Sequence, residues 1–150
     1  MTFSIAALFH AKTAMRQYHL QIGQEHSMAR IATILVDDEE DILPEYQEML
    51  ELEGISALIS SNPEEAFQIV SANSEIELVV TDLRMARLDG TGLIGKLRAA
   101  LPHRKLRFIV ITGDATTPHD PELVGGPVLL KPVDRRLLIQ AVTQALSEQA

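Results

Sequence analysis

The feature of this sequence that most restricts its fold is a set of short apolar runs, each of which ends abruptly on a polar or charged residue. In the clearest of them, Leu78–Asp82, four residues with strand preference are followed by a carboxylate. The other runs are residues 31–36 followed by Asp37 and Asp38, residues 108–111 followed by Thr112, and residues 128–130 followed by Lys131. Such a run is typical of a buried strand that carries a polar side chain to the edge of a sheet.

Helical patterns separate these runs. Apolar residues recur at helical spacing within residues 42–50, 66–70, 93–97 and 137–146, and a further short strand is predicted at residues 55–59. Asn62, Pro63 and Glu65 supply the cap, the proline and the acid that are typical of a helix start. The alternation predicts an α/β protein with a doubly wound, five-stranded parallel sheet that helices cover on both faces.

The last part of the chain carries two further predictions. Residues 114–126 are rich in Pro and Gly, which leaves room only for a shortened fourth helix around residues 122–124. Asp134 is the predicted cap of the final helix. The inner side of that helix is predicted to carry Leu137, Leu138, Ala141, Val142, Ala145 and Leu146.

The first 28 residues differ from the rest, because their apolar residues are irregularly spaced and Glu25 is their only acid. They lack the basic start and the cleavage site of a secretory signal. An amphipathic helix that packs on the domain or on a second copy and a frayed extension are both compatible with this pattern. We therefore divide the chain into an N-terminal extension at 1–28 and one domain at 29–150. The apolar residues of the extension leave the oligomeric state undecided between a monomer and a homodimer.

Composition excludes several classes of function. The chain has 150 residues, and 13 basic against 21 acidic residues give a net charge of −8, which argues against a nucleic-acid-binding surface. The absence of cysteine excludes disulfides, thiolate chemistry and cysteine-based zinc sites. No apolar run approaches the roughly 20 residues that span a bilayer. We therefore expect a cytoplasmic protein that binds neither nucleic acid nor membrane.

The polar residues at the strand ends predict a site. Parallel strands place their C-terminal ends at one edge of the sheet, where open α/β sheets bind their ligands. Carboxylates gathered there repel one another unless a cation lies between them, and Mg²⁺ is the natural candidate. One carboxylate is then available as a nucleophile that forms an acyl phosphate. Lys131 would neutralise the phosphoryl group, and Thr112 would hydrogen-bond one of its oxygens.

Four motifs between residues 31 and 146 resemble the receiver domain of two-component response regulators. They are Leu35-Val36-Asp37-Asp38-Glu39, Val79-Val80-Thr81-Asp82-Leu83-Arg84-Met85 with Leu88-Asp89-Gly90, Val110-Ile111-Thr112-Gly113, and Leu130-Lys131-Pro132. The resemblance implies a flavodoxin-like strand order of 2-1-3-4-5 and a cis peptide bond before Pro132. It covers most of the chain, and all four motifs occur in the order of the family.

The resemblance also implies a role for each matching residue. Asp82 corresponds to the phosphorylated aspartate, Thr112 to the switch hydroxyl and Lys131 to the phosphate-binding lysine. The implied ligands of Mg²⁺ are Asp37, Asp38, Asp82 and the backbone carbonyl of Arg84. The implied partners are a histidine kinase or histidine phosphotransfer protein, and an unknown downstream protein that is bound by contact. Phosphotransfer and dephosphorylation would be self-catalysed, so we do not expect an enzyme acting on a separate substrate.

The chain departs from the family pattern at the positions that report phosphorylation. Ala86 replaces the proline usual in the loop after the phosphorylation site, and Val128 replaces the aromatic switch residue. The segment between Thr112 and Lys131 is also shorter than is typical of the family. The resemblance therefore implies an intact phosphorylation site with a non-standard readout.

Two other functions remain open. A binding module that keeps the fold and signals independently of phosphorylation is favoured by the altered switch positions, whereas the complete acidic site counts against it. A magnesium-dependent phosphatase with an Asp nucleophile generally has a second Asp two residues further on. That position holds Arg84 here, so we rank the phosphatase last.

Overall fold

The computed structural model describes residues 30–114, 116 and 120–148. The predicted N-terminal extension at 1–28 lies outside these residues, and it stays a prediction. In chain order the described elements are β1 (Thr33–Val36), α1 (Ile42–Glu51), β2 (Ala57–Ser60), α2 (Pro63–Ala72), β3 (Leu78–Asp82), α3 (Gly90–Ala100), β4 (Arg107–Thr112), α4 (Pro121–Val124), β5 (Val128–Leu130) and α5 (Arg135–Ser147).

The strands form one sheet in the order β2-β1-β3-β4-β5, and all neighbouring strands are parallel. This confirms the predicted doubly wound sheet and its strand order. Every residue of β1 and β3 is buried. Continuous burial is expected of central parallel strands, because the helical crossovers cover both faces of the sheet.

Two apolar clusters form the core, one on each face of the sheet. On one face, Ile94 and Leu97 of α3 pack in the cluster that contains Phe108 of β4. On the other face, Leu50 of α1 and Leu138 of α5 belong to a second cluster. The sheet is therefore sandwiched between two helical layers. Within the described residues, no helix combines the length and the hydropathy needed to cross a bilayer.

Side-chain caps fix several of the helix starts. The Asn62 side chain accepts hydrogen bonds from the backbone N–H groups of Glu64 and Glu65, at 2.9 and 3.4 Å. Asp134 caps α5 in the same way, through the N–H of Arg136 at 2.8 Å. These contacts confirm the predicted starts of α2 and α5, because each cap satisfies N–H groups that have no partner inside the helix.

The shortened fourth helix is confirmed, since α4 has only four residues. Gly125 ends it with a left-handed φ of 63°. The guanidinium of Arg98 holds this short helix against the domain. It donates hydrogen bonds to the carbonyls of Leu123 and Val124, at 2.9 and 3.2 Å, and lies 4.7 Å from the centre of the Phe108 ring.

One prediction about α5 is wrong. Leu137 was expected on the inner side of the helix, but it is 53% exposed. Leu138 and Val142 are the fully buried residues of α5 and set its inner face. Leu137 lies one residue earlier and therefore about 100° around the helix axis. There it borders a groove of about 440 Å³ that Leu129 of β5 also lines.

Candidate functional site

The polar residues predicted to gather do lie at one edge of the sheet. Val36 pairs with Thr81 across β1 and β3, so Asp37 and Asp82, which come next in the two strands, are neighbours. On the other side of β3, Thr112 ends β4 and its carbonyl accepts a hydrogen bond from the N–H of Lys131, at 2.8 Å. The register therefore brings the four residues to the C-terminal ends of adjacent strands.

Three carboxylates form the centre of this edge. Asp37, Asp38 and Asp82 each offer an oxygen, and the three oxygens lie within 4.8 Å of one another. Asp37 is 2% exposed and Asp82 is 7% exposed, whereas Asp38 is open to solvent. An oxygen-only cluster of this kind has the donor set that Mg²⁺ prefers.

Lys131 is the cation of the site. Its Nζ donates a hydrogen bond to Oδ2 of Asp37 at 2.9 Å and to Oδ2 of Asp82 at 3.3 Å. Oε1 of the exposed Glu39 lies 3.8 Å from the same nitrogen. Burial alone would lower the pKa of Lys131, but the hydrogen bond and charge of Asp37, and then those of Asp82, outweigh it and raise the pKa. Lys131 therefore stays protonated and bridges the two buried acids.

The environment disfavours the charged form of Asp82, whereas it favours the charged form of Lys131. Burial, and then the charge of Asp37, raise its pKa above the ordinary value. The charge and the hydrogen bond of Lys131 and a hydrogen bond from the backbone of Arg84 offset part of this rise. Ionised Asp82 is thus less stable in the folded protein than in water, so a cation at this edge would relieve it.

Thr112 reaches the same edge, but its hydroxyl is engaged elsewhere. The side chain is 3% exposed. Its Oγ1 donates to the carbonyl of Asp114 at 3.1 Å and accepts from the Asp114 N–H at 3.2 Å. The hydroxyl therefore closes its own turn rather than pointing to the carboxylates.

The loop after Asp82 is tied back to the acidic cluster by Ala86. The N–H of Ala86 donates a hydrogen bond to Oδ2 of Asp38 at 3.2 Å. A proline, which the family usually has at this position, has no N–H and could not make this bond. Arg84 lies in this loop, two residues beyond Asp82, and its carbonyl stays a predicted ligand. The peptide bond between Lys131 and Pro132 is cis, as the resemblance implies.

Gly90 is a residue of the site that the sequence analysis treated only as part of a turn. Its N–H donates to the carbonyl of Leu83 at 2.9 Å. A Cβ atom at this position would lie 2.2 Å from the backbone oxygen of Asp82. Only glycine therefore lets α3 begin so close to the end of β3. Its place eight residues after a site aspartate gave no signal in the sequence beyond the turn.

Comparison with known proteins agrees with this geometry. The family model of the response regulator receiver domain matches residues 33–143. The chain is 29% identical over 120 residues to the transcriptional regulatory protein GlrR of Escherichia coli, an alignment that covers 78% of this chain and 26% of that protein. The chain thus spans about a quarter of the length of that curated relative. It is 31% identical to an uncharacterized 14.6 kDa protein of Leptolyngbya boryana, and this alignment covers 79% of the chain and 92% of that protein.

Solved structures show the same similarity. A response regulator receiver protein from Pseudomonas putida superposes with a TM-score of 0.67 at 32% identity, over 77% of this chain and 98% of that one. A response regulator receiver domain protein from Clostridium thermocellum has a TM-score of 0.70 at 26% identity, over 78% of this chain and 94% of that one. From the family match and the fold together, the chain belongs to the response regulator receiver domain family.

Proposed function

We propose that this protein accepts a phosphoryl group on Asp82 from a histidine kinase or a histidine phosphotransfer protein. One observation carries the proposal: the ammonium of Lys131 hydrogen-bonds both Asp82 and Asp37, at the sheet edge where Asp38 also lies. A buried carboxylate that faces a fixed cation is suited to attack phosphorus, because the cation stabilises charge on the transferred group. Membership of the receiver family supports the same role.

The transfer is a displacement at phosphorus. An Oδ atom of Asp82 attacks the phosphoryl group of a phosphohistidine, and a new P–O bond forms as the P–N bond breaks. The electron pair of the broken bond stays on the imidazole nitrogen of the donor, which then takes up a proton. Lys131 turns one N–H bond from Asp82 to an oxygen of the incoming group. Hydrolysis of the acyl phosphate by water would return Asp82 to its carboxylate.

The acidic cluster fits Mg²⁺, and we propose Asp37, Asp38, Asp82 and the carbonyl of Arg84 as its ligands. When bound, Mg²⁺ would supply positive charge to the phosphoryl oxygens and offset the repulsion among the carboxylates. The raised pKa of Asp82, caused by burial and by Asp37, supports a need for this charge. Asp37 is almost fully buried and already bonds Lys131, so it can orient the site while the exposed Asp38 faces the entering ion.

We propose that the output of the domain is contact with a downstream protein, whose affinity the phosphoryl group changes by shifting a two-state surface. A second candidate is a binding module that signals without phosphate. Two features of the switch positions favour this candidate. The hydroxyl of Thr112 is hydrogen-bonded to the backbone of Asp114, and position 128 holds a valine. The two candidates differ in whether phosphorylation of Asp82 changes the affinity of the protein for its downstream partner.

The test is incubation with Mg²⁺ and acetyl phosphate, followed by intact-mass measurement. The wild type should gain the mass of one phosphoryl group, and Asp82→Asn should gain none. Removal of Mg²⁺ with a chelator should abolish the gain. If the wild type stays unmodified while an unrelated receiver domain in the same tube is phosphorylated, the binding-module function replaces the phosphoacceptor function.

A further inference from the structure

One edge of the sheet is open beside an apolar groove. The groove, of about 440 Å³, lies between Leu129 of β5 and the side of α5 that carries Leu137, Ala141 and Ala145. β5 is the last strand of the sheet, and among the described strands it pairs only with β4. Leu130 of β5 and Leu137 of α5 are each 53% exposed. Native proteins rarely leave apolar surface open along an unpaired strand, so this edge suits a covering segment.

The backbone of β5 also faces outward at this edge. The carbonyl of Pro127 accepts a hydrogen bond from the N–H of Val110 at 3.1 Å, and the N–H of Lys131 donates to the carbonyl of Thr112 at 2.8 Å. In a parallel ladder, every second residue of a strand bonds the same neighbour. The residues between those that bond β4, at positions 128 and 130, therefore turn their N–H and C=O groups toward the place of a sixth strand.

The opposite edge of the sheet is already covered. Ala57, Leu58 and Ser60 of β2 are all buried, with at most 8% of any of them exposed. The side chain of Gln47 also donates a hydrogen bond to the carbonyl of Ala57 at 2.7 Å. A segment that adds to the sheet therefore has β5, and not β2, as its place.

The N-terminal part of the sequence contains a short segment that fits this edge. Its apolar residues are irregularly spaced as a whole, but residues 17–22 alternate strictly between polar and apolar side chains, as Gln-Tyr-His-Leu-Gln-Ile. Strict alternation is typical of a strand with one apolar face. Tyr18, Leu20 and Ile22 would share that face.

The chain enters the domain at the end of the sheet where the groove lies. The guanidinium of Arg30 is paired with Glu77, whose carbonyl accepts a hydrogen bond from the N–H of Arg107 at 2.8 Å. Arg107 lines the groove. The place beyond β5 is about 19 Å from β1 at the usual strand spacing, and residues 23–29 span about 25 Å when extended. The connection is therefore long enough.

The charges of the two parts are complementary. Residues 1–29 contain Lys12 and Arg16 and a single acid, Glu25, whereas the whole chain has a net charge of −8. Residues 30–150 therefore carry all of the negative excess, and they attract a segment of the opposite net charge.

We propose that residues 17–22 of this chain form a sixth strand along β5 and place Tyr18, Leu20 and Ile22 in the groove beside α5. The strand runs antiparallel to β5, because the connection to Arg30 leaves it at the end of the sheet where β1 begins. It covers Leu137 and pairs the outward N–H and C=O groups of β5. A protein that binds this edge must then displace the segment. The inference is independent of phosphoryl transfer to Asp82.

The first test is disulfide trapping, which is specific here because the chain has no cysteine of its own. The test pair is Ile22→Cys with Gln144→Cys, since Gln144 is exposed and lines the groove. In one control pair, Gln21→Cys replaces Ile22→Cys, because the neighbouring side chain would point away from α5. In the other, Leu52→Cys replaces Gln144→Cys, since Leu52 is 65% exposed and lies outside the groove. Each full-length variant is oxidised in dilute solution.

The test pair should close about ten-fold faster than either control pair, because docking holds the two sulfurs at a higher effective concentration than random collision does. The product should keep the mass of one chain. Equal rates in the three pairs would overturn the inference. A product with the mass of two chains, formed by the test pair alone, would also overturn it and assign the groove to a second copy.

The second test measures whether the groove and the segment stabilise each other. Leu137→Asn should lower the thermal midpoint by about 5 °C if the segment covers the leucine, the effect of losing one buried leucine in a chain of this size. Leu52→Asn is the matched control and should change it by less than about 2 °C, as is usual for a surface substitution. In a Leu20→Asp background, Leu137→Asn should cause little further loss, because the segment no longer docks.

Equal thermal midpoints for Leu137→Asn and Leu52→Asn would contradict the inference, since both leucines would then be surface residues. The same loss from Leu137→Asn with and without Leu20→Asp would contradict it as well, because the two residues would then act independently. Neither result would bear on phosphorylation of Asp82, which is measured separately with acetyl phosphate.

Discussion

At the scale of single residues, the site depends on two buried carboxylates that share one ammonium. Asp37 and Asp82 are nearly inaccessible to solvent, and Lys131 bonds both. A buried ion pair is a weak source of stability, because desolvation offsets much of the attraction between the charges. The raised pKa of Asp82 shows that burial and Asp37 outweigh Lys131 at this position. The arrangement therefore has a cost in stability, which the proposed reactivity of Asp82 would explain.

This balance predicts how stability depends on pH. A carboxyl group whose folded pKa exceeds its ordinary value of 3.8 destabilises the fold wherever it is ionised, and the cost is absent where it is protonated in both states. Asp82→Asn should therefore raise the free energy of unfolding at pH 7. The gain should shrink as the pH falls through the folded pKa of Asp82 and vanish below 3.8.

Urea unfolding at a series of pH values measures this difference. Glu48→Gln is the control, since Glu48 is an exposed acid of α1 outside the site. A variant Asp82→Asn that is less stable than the wild type at pH 7 would contradict the account, because the attraction of Lys131 would then exceed the cost of burial.

At the scale of elements, the close approach of α3 to β3 fixes the loop that carries Arg84 and Ala86. Gly90 permits this approach, as its N–H bonds the Leu83 carbonyl and a Cβ would overlap the Asp82 backbone oxygen. Asp89 caps the helix by accepting from the N–H of Gly92 at 2.7 Å. The start of α3 is therefore tied to the residue proposed to be phosphorylated.

Gly90→Ala should destabilise the protein by about 1–3 kcal/mol, because backbone atoms rather than a flexible side chain must move. It should also slow phosphorylation, since the atoms that move belong to Asp82. Gly95→Ala in the same helix is the matched control: open space surrounds its Cβ, and it should stabilise the helix by about 0.5–1 kcal/mol. Denaturant unfolding and the acetyl phosphate reaction measure both effects, and equal behaviour of the two variants would refute the argument.

At the scale of the whole molecule, the sequence was most informative where the signal is local. The sequence predicts the apolar strands that end on Asp82 and Thr112, and it predicts helix caps such as Asn62. These predictions succeed because the residues involved lie close together in the chain. The rule that parallel strand ends share one edge then placed the site residues together.

What the sequence did not reveal depends on contacts between distant segments. Arg104 donates hydrogen bonds to the backbone carbonyls of Val70, Asn73 and Ile76, at 2.9 Å for Asn73 and 2.7 Å for Ile76. No residue spacing in the sequence predicts these contacts. The exposure of Leu137 depends on the rotation of α5 against the sheet, and the engaged hydroxyl of Thr112 depends on its turn. These features can be determined only from the tertiary structure.

The proposed function requires an acyl phosphate at Asp82, and hydroxylamine trapping detects this group most directly. The protein is treated with Mg²⁺ and acetyl phosphate, then with hydroxylamine, which converts an aspartyl phosphate to a hydroxamate while phosphate esters of serine and threonine survive. Peptide mass spectrometry should find one hydroxamate, on the peptide that contains Asp82, and none in Asp82→Asn. A phosphoryl group that resists hydroxylamine, or the same modified peptide in both proteins, would contradict the account.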